Sequence, residues 1–276
     1  MLTIPQTLQV QADAAVERVR NLRTPGRFLV SGMLAGAYIG VGVVLMVCTA
    51  GPLIAAGDGL ARLVAGLVFG TALTLVVFAG ADLATSAMMT LPQGVLMRSV
   101  ALGRAAAALL AVFLFNLIGS LLFAAIVVAS SVLRTNPPAA EMLSDLLAAK
   151  AAESPLELFA RGVLCNVLVC LAIWMGARVR SETARIVLIF VAITAFVSSG
   201  FEHVVANMTT YGLGLMTADP NASWALLGGN LLWVGLGNLV GGGLIVGAGY
   251  WVIGGRPRAA ADDLSRSAEQ IALGAQ

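Results

Sequence analysis

"RIVLIFVAITAFVSSGFEHVVANMT" (Arg185–Thr209) begins as a membrane helix and then breaks. From Ile186 to Val197 every residue except Thr194 is apolar. Ser198, Ser199 and Gly200 interrupt the run, Glu202 and His203 follow, and "YGLGLM" restores the apolar character. His203 is the chain's one histidine. Backbone leaves its helix inside a bilayer only where it is buried in protein or lines a watery cavity. A titratable group at that depth costs at least ~2.5–3.5 kcal/mol on insertion scales, so it is functional by default. The plainer reading is a neutral histidine, satisfied by asparagine or backbone, that only holds the break.

Composition agrees with a membrane setting. Of 276 residues, 59% are hydrophobic and only 11% charged, and the mean hydropathy is +0.94. A soluble domain of this length carries far more charge, so an integral membrane protein is implied. The apolar runs are too long for barrel strands, which alternate over short segments. The N-terminal "MLTIPQTLQVQADAAVERVRNLRTP" is polar and mildly amphipathic, without the apolar core and cleavage site of a signal peptide. It reads as a surface-lying helix. Cys48, Cys165 and Cys170 fall in apolar runs with no metal-like spacing, and read as buried small residues.

A spanning helix needs ~20 apolar residues, and six such stretches are legible. They start at Phe28, at Leu63, after Arg104, at Leu156, after Arg185 and near Trp224. The predicted organisation is an N-terminal amphipathic segment (1–27), a channel domain (28–255) and a C-terminal tail (256–276). Arginines 18, 20, 23, 27, 98, 104, 178, 180, 185, 256, 258 and 266 all fall in segments on one side of a six-span chain. Asp58, Glu141, Asp145, Glu153 and Glu157 dilute the positive charge of the opposite loops. The positive-inside rule then places both termini in the cytoplasm.

The two halves echo each other. "NLIGSLLFA" from Asn116 matches "NLVGGGLIV" from Asn238, and "GADLATS" from Gly80 matches "GFEHVVAN" from Gly200. In each of the latter pair a carboxylate, Asp82 or Glu202, follows a glycine by two residues. Three spans per half is an odd number, so the repeats must be inverted in the membrane. Paired interruptions in inverted repeats are the best sequence pointer to a transport site. Chance patches of glycine and polar residues are the bland alternative.

Glu202 adjoins His203, so on helical geometry the two side chains point ~100° apart. Glu202 therefore reads as bracing the broken backbone, as does Asp82. Asn207, four residues after His203, is placed as its hydrogen-bond neighbour. Thr85, past the matching break, either lends a hydroxyl to a central cavity or bonds back to its own helix. Lys150 is the chain's one lysine, before the fourth span. It reads equally as a snorkelling interface residue or as a cationic funnel for an anion. Glycines in the first and sixth spans suit close helix packing. No nucleotide-binding loop, metal cluster or nucleophile elbow is present, which argues against a primary pump and most membrane enzymes.

At "AGAYIGVG" (Ala35–Gly42), "FGTALTLVVFAGADLAT" (Phe69–Thr85), "NLIGSLLFA", "LCNVLVCLAIWM" (Leu164–Met175), "SGFEHVVANMT" and "NLLWVGLGNLVGG" the chain resembles the formate/nitrite transporter family, in particular its nitrite-channel branch. These stretches run in order along nearly the whole chain. The resemblance implies an all-α aquaporin-like bundle of six spans in two inverted three-helix repeats, with broken second and fifth helices. It also implies a homopentamer in the bacterial inner membrane, with one pore per subunit and no cofactor, metal or nucleic acid. His203 falls on the family's central pore histidine and Thr85 on the threonine of the second-span break. Glu202 and Asn207 fall on polar partners of the histidine, Asn166 on a fourth-span asparagine, and Lys150 on a vestibule lysine. Phe69, Leu73, Leu83 and Phe196 fall on apolar constrictions. Ala84 stands where phenylalanine is common, which implies a wider or more mobile slit on that side.

The resulting expectation is a channel, not an enzyme, passing nitrite or another small weak-acid anion together with protons. Formate and hydrosulfide are alternatives within the family. A neutral-solute pore and a membrane acid/base enzyme using Glu202 and His203 are rivals outside it.

Overall fold

A computed structural model describes residues 1–259. Residues 260–276, which hold Arg266 and most of the predicted C-terminal tail, lie outside the described residues. Every regular element within them is helical: α1 (Ile4–Asn21), α2 (Pro25–Ala55), α3 (Ala61–Ala79), α4 (Ala84–Leu96), α5 (Leu102–Ser130), α6 (Pro137–Ala152), α7 (Pro155–Arg178), α8 (Glu182–Ser198), α9 (Val204–Met216) and α10 (Trp224–Leu239). A π-helical segment (Val240–Ala248) then continues α10 into α11 (Gly249–Ile253). Among the described residues, five helices are long and apolar enough to cross a membrane: α2, α3, α5, α7 and the continuous Trp224–Ile253.

Local chemistry sets the helix starts. Thr3 with Gln6, and Ser154 with Glu157, close capping boxes at α1 and α7, each with proline in the first turn. Each box satisfies donors that the first turn would otherwise leave unpaired. Ser181 and Ser223 cap α8 and α10 through their side chains.

The two interruptions have one geometry. Gly80, the residue after α3, has φ 77° and Gly200, two residues after α8, has φ 73°, a left-handed conformation that glycine adopts without the Cβ penalty. A short extended segment follows each, and its last residue, Leu83 or His203, precedes a half-length helix of 13 residues, α4 or α9.

Glycine also sets how closely the long helices cross. A Cβ on Gly36 would lie 2.1 Å from the Asn116 carbonyl oxygen, and one on Gly119 would lie 2.0 Å from that of Met33. In the other half, a Cβ on Gly237 or Gly241 would lie 2.2 or 2.3 Å from the Phe159 or Val163 carbonyl oxygen. Such approach of backbone to backbone is how membrane helices gain contact without a hydrophobic driving force. Sequence patterning did not anticipate the π-helix in "VGGGLIVGA". There Gly242 leaves room for Asn166 Nδ2 and Cys170 Sγ, which a Cβ would meet at 2.6 and 2.9 Å.

Candidate functional site

The two breaks are held by two asparagines making the same bonds. Asn116 Oδ1 accepts from the Ala84 N–H, and its Nδ2 donates to the Gly32 and Asp82 carbonyls. Asn238 Oδ1 accepts from the Val204 N–H, and its Nδ2 donates to the Gly162 and Glu202 carbonyls. Each amide thus fixes the first N–H of a half-helix, the carbonyl two residues before it, and a carbonyl of a crossing helix. Both side chains are fully buried. This satisfies backbone that would otherwise be stranded in an apolar interior.

Clamped this way, the starts of α4 and α9 face each other. Thr85 Oγ1 lies 3.0 Å from His203 Nε2. His203 is the N-cap of α9, and its Nδ1 accepts the Ala206 N–H at 3.1 Å. A neutral imidazole that accepts at Nδ1 carries its proton on Nε2. Nε2–H therefore donates to Thr85 Oγ1, which leaves the threonine's own hydrogen for a third group. Both residues are buried.

Aromatic rings flank the pair. Phe196 stacks on the His203 ring at 6.0 Å and meets Phe69 edge-on at 6.0 Å. Phe69, Leu73, Leu83 and Phe196 are all buried. Ala84, on the inner face of the α4 break, is buried too and uses its N–H on Asn116.

Ion pairs sit beyond this centre on both sides. Towards α6, Lys150 Nζ donates to both Glu202 oxygens at 2.5 and 2.7 Å. Asn207 Nδ2 donates to Glu202 Oε2 at 2.6 Å and to Asn230 Oδ1 at 2.7 Å. Arg161 pairs with Glu153 nearby. Burial raises the Glu153 carboxyl above its ordinary value, the Glu202 charge adds to this, and Arg161 and Lys150 oppose it. Towards α1, Arg18 reaches Asp82 Oδ1 at 3.1 Å, Thr90 Oγ1 at 2.7 Å and Ser86 Oγ at 3.1 Å. The Asp82 N–H donates to Ser31 Oγ.

A cavity opens at each end of this arrangement. The α1 end holds about 770 Å³ and is lined by Arg18, Arg27, Glu17, Asp82 and Ser31 among others. The α6 end holds about 500 Å³, with Arg62, Arg161, Asp145 and the Ser198–Phe201 break in its wall. The buried threonine–histidine pair thus lies among apolar side chains, and a cavity with charged residues in its wall opens near each of the two breaks.

The structure brings together Thr85 and His203, and Lys150, Glu202 and Asn207. Asn166 packs behind Thr85, its Nδ2 donating to the Thr85 carbonyl at 3.2 Å and the Asn238 carbonyl at 2.6 Å. Two sequence expectations need correcting. The Asn207 side chain serves Glu202 and Asn230, and only its backbone N–H reaches His203, at the carbonyl. The extended backbone at the α9 start turns that side chain away from the imidazole. The Glu202 carboxylate binds Lys150 and Asn207, and the backbone of the break is tied by Asn238 instead. Sequence reasoning missed the roles of Asn116, Asn238 and Arg18. Two buried-type amides at matched places in apolar runs were the available signal for the asparagines. Arg18 was counted only as a topological charge.

Comparison with known proteins places this geometry. Residues 5–252 match the family model described as formate/nitrite transporter. The chain is 39% identical over 241 residues to the nitrite transporter NirC of Escherichia coli strain K12, covering 87% of this chain and 88% of that protein. It is 31% identical over 238 residues to the formate channel FocA of the same organism, covering 79% and 83%. Among solved structures, an FNT family ion channel superposes with a TM-score of 0.84 at 36% identity, covering 90% of this chain and 99% of that one. A pentameric formate channel with formate bound superposes with a TM-score of 0.73 at 28% identity, covering 84% and 98%. The chain belongs to the formate/nitrite transporter family.

Proposed function

We propose that this chain forms a homopentameric inner-membrane channel for small monovalent anions, nitrite first, with one pore in each subunit. Six crossings form two inverted repeats: α2, α3–α4 and α5, then α7, α8–α9 and the Trp224–Ile253 helix. Arginine placement puts α1 and the tail in the cytoplasm and α6 outside. The matched asparagine clamps support the inversion, since one bonding pattern recurs at two breaks related by sequence echo.

The observation that carries the reading is the Thr85 Oγ1–His203 Nε2 contact between two apolar slits. A hydrated anion arriving there must shed water, and a bare anion in an apolar slit is costly. Desolvation favours the protonated acid of a weak-acid anion. The Thr85 hydroxyl, polarised by Nε2–H, donates one hydrogen bond to the anion as it loses its shell. The anion then takes a proton from His203 or from water relayed near it, that proton being replaced from the entry mouth, crosses the constriction neutral, and releases the proton in the far mouth. Because Nδ1 is engaged by Ala206, the imidazole acts through Nε2 alone.

Formate is the second reading, supported by the likeness to FocA and to the formate-bound channel. Nitrite ranks first because the likeness to NirC is greater. The test is uptake of nitrite, formate, hydrosulfide and lactate into proteoliposomes across a pH series, with wild type and His203→Phe. Nitrite uptake that is proton-linked in wild type and lost in the variant is the expected result. Unchanged uptake and pH dependence in His203→Phe would remove the histidine from the pathway, and absence of all anion flux in wild type would end the channel reading.

A further inference from the structure

We infer that Gly242 and the π-helical turn around it position the Thr85–His203 contact, acting through the amide of Asn166. This rests on the reading of that contact as the centre of an anion pathway, and it concerns what fixes the contact's geometry.

The amide is a cross-tie between the two breaks. Asn166 Nδ2 donates to the Thr85 carbonyl at 3.2 Å and to the Asn238 carbonyl at 2.6 Å. The Asn238 side chain in turn holds the Glu202 carbonyl and the Val204 N–H, the peptide groups on either side of His203. One amide nitrogen thus joins the main chain of Thr85 to the residue that clamps His203. Asn166 is fully buried, and its Oδ1 has no partner among the described residues. Its remaining contact is a long one, 3.9 Å to Met88 Sδ. Cys170, one turn further along α7, supports the same point, with Sγ donating to the Thr85 carbonyl at 3.6 Å.

The sixth span leaves the space for this tie. A Cβ on Gly242 would lie 2.6 Å from Asn166 Nδ2 and 2.9 Å from Cys170 Sγ. Gly237 and Gly241 in the same span are different, because a Cβ there would strike main-chain carbonyl oxygens of α7. Those two glycines let backbones approach, whereas Gly242 makes room for two side-chain ends that both reach Thr85. The turn around Gly242 is π-helical (Val240–Ala248), a rare form that frequently marks functional sites. The Asn238 carbonyl that takes the amide lies just before that turn begins.

An alanine at 242 would push the amide aside without touching either Thr85 Oγ1 or the imidazole. The contact would then lose its brace from behind. A misplacement on the order of 1 Å can cost about a hundredfold in rate where groups must be held in register.

The experiment is nitrite uptake into proteoliposomes, with flux per folded protomer and melting temperature measured for Gly242→Ala, Asn166→Ala and the double variant. Each single variant should lower Vmax about tenfold or more with KM little changed. The double variant separates positioning from packing. Removing the amide gives the new methyl group its space, so the double should melt above Gly242→Ala. Its flux should stay at the Asn166→Ala level, because the tie is still missing. Packing alone predicts that flux and stability recover together, and that result overturns the inference. So does wild-type Vmax in Asn166→Ala. Should Gly242→Ala fail to accumulate, Asn166→Ala and the double still decide. Gly249→Ala, whose added carbon meets nothing within 4 Å, is the control and should match wild type. These outcomes leave wild-type flux intact, whereas wild type passing no anion, or unchanged uptake in His203→Phe, would end the underlying reading instead.

Discussion

Thr85 and His203 stand 118 positions apart in the chain, yet Oγ1 of one lies 3.0 Å from Nε2 of the other. Each sits at the start of a half-helix whose first N–H is held by an asparagine amide. The contact is therefore a product of both breaks, and distorting either one opens it.

Thr85→Val removes the acceptor of Nε2–H and leaves that donor buried without a partner. The cost is about 1–3 kcal/mol. We expect a lower melting temperature in detergent and strongly reduced anion flux, with Thr85→Ser close to wild type in both. A valine variant as stable and as active as wild type would show that the contact has no part in either.

Asn116→Ala and Asn238→Ala each delete three hydrogen bonds at a break. At about 1 kcal/mol net per bond, and more where a buried group is stranded, each should lose roughly 3 kcal/mol or more. The two losses should be similar, because the two bonding sets are. Thermal unfolding of both variants side by side checks this, and a tolerant Asn116 beside a sensitive Asn238 would break the equivalence of the two halves.

Glu202→Gln leaves the Lys150 ammonium buried without its counter-charge, a change that costs about 3–5 kcal/mol where the pair is well buried. The double variant Lys150→Met, Glu202→Gln should recover most of that loss, since the isolated charge is gone. A double-mutant cycle measures the coupling. Additive losses would mean that the two side chains act independently.

Gly119→Ala drives a methyl group to 2.0 Å from the Met33 carbonyl oxygen, a backbone atom that cannot rotate away. Overpacking of this kind costs about 1–3 kcal/mol even against side chains, so α2 and α5 must part and the variant should be unstable or fail to accumulate. Gly103→Ala, with nothing within 4 Å of the added carbon, is the matched control and should be neutral.

Much of this architecture was legible before any coordinates. The apolar runs marked the helices, and "GADLATS" against "GFEHVVAN" pointed to the two interruptions, because glycine gives a left-handed turn cheaply. His203 and Thr85 were both named from sequence. Their contact was not derivable from residue spacing alone, because it needs the two breaks superposed in space. Helical spacing misassigned Asn207, since i to i+4 geometry holds only inside a helix and His203 is a cap with extended φ and ψ. Arg18 reaches Asp82 across 64 residues of chain, a pairing no local pattern encodes. The π-helix stayed hidden because glycine runs look alike in α and π turns, and only Asn166 and Cys170 packed against it reveal the wider one.

The clamps at Asn116 and Asn238 use amide groups alone, which carry no proton to lose and no net charge for a membrane voltage to pull on. These two clamps are thus deaf to acidity, salt and potential. Any such sensitivity belongs to the cargo, to His203 and to the Arg18–Asp82, Lys150–Glu202 and Arg161–Glu153 pairs, which can respond while the two clamped breaks keep their shape.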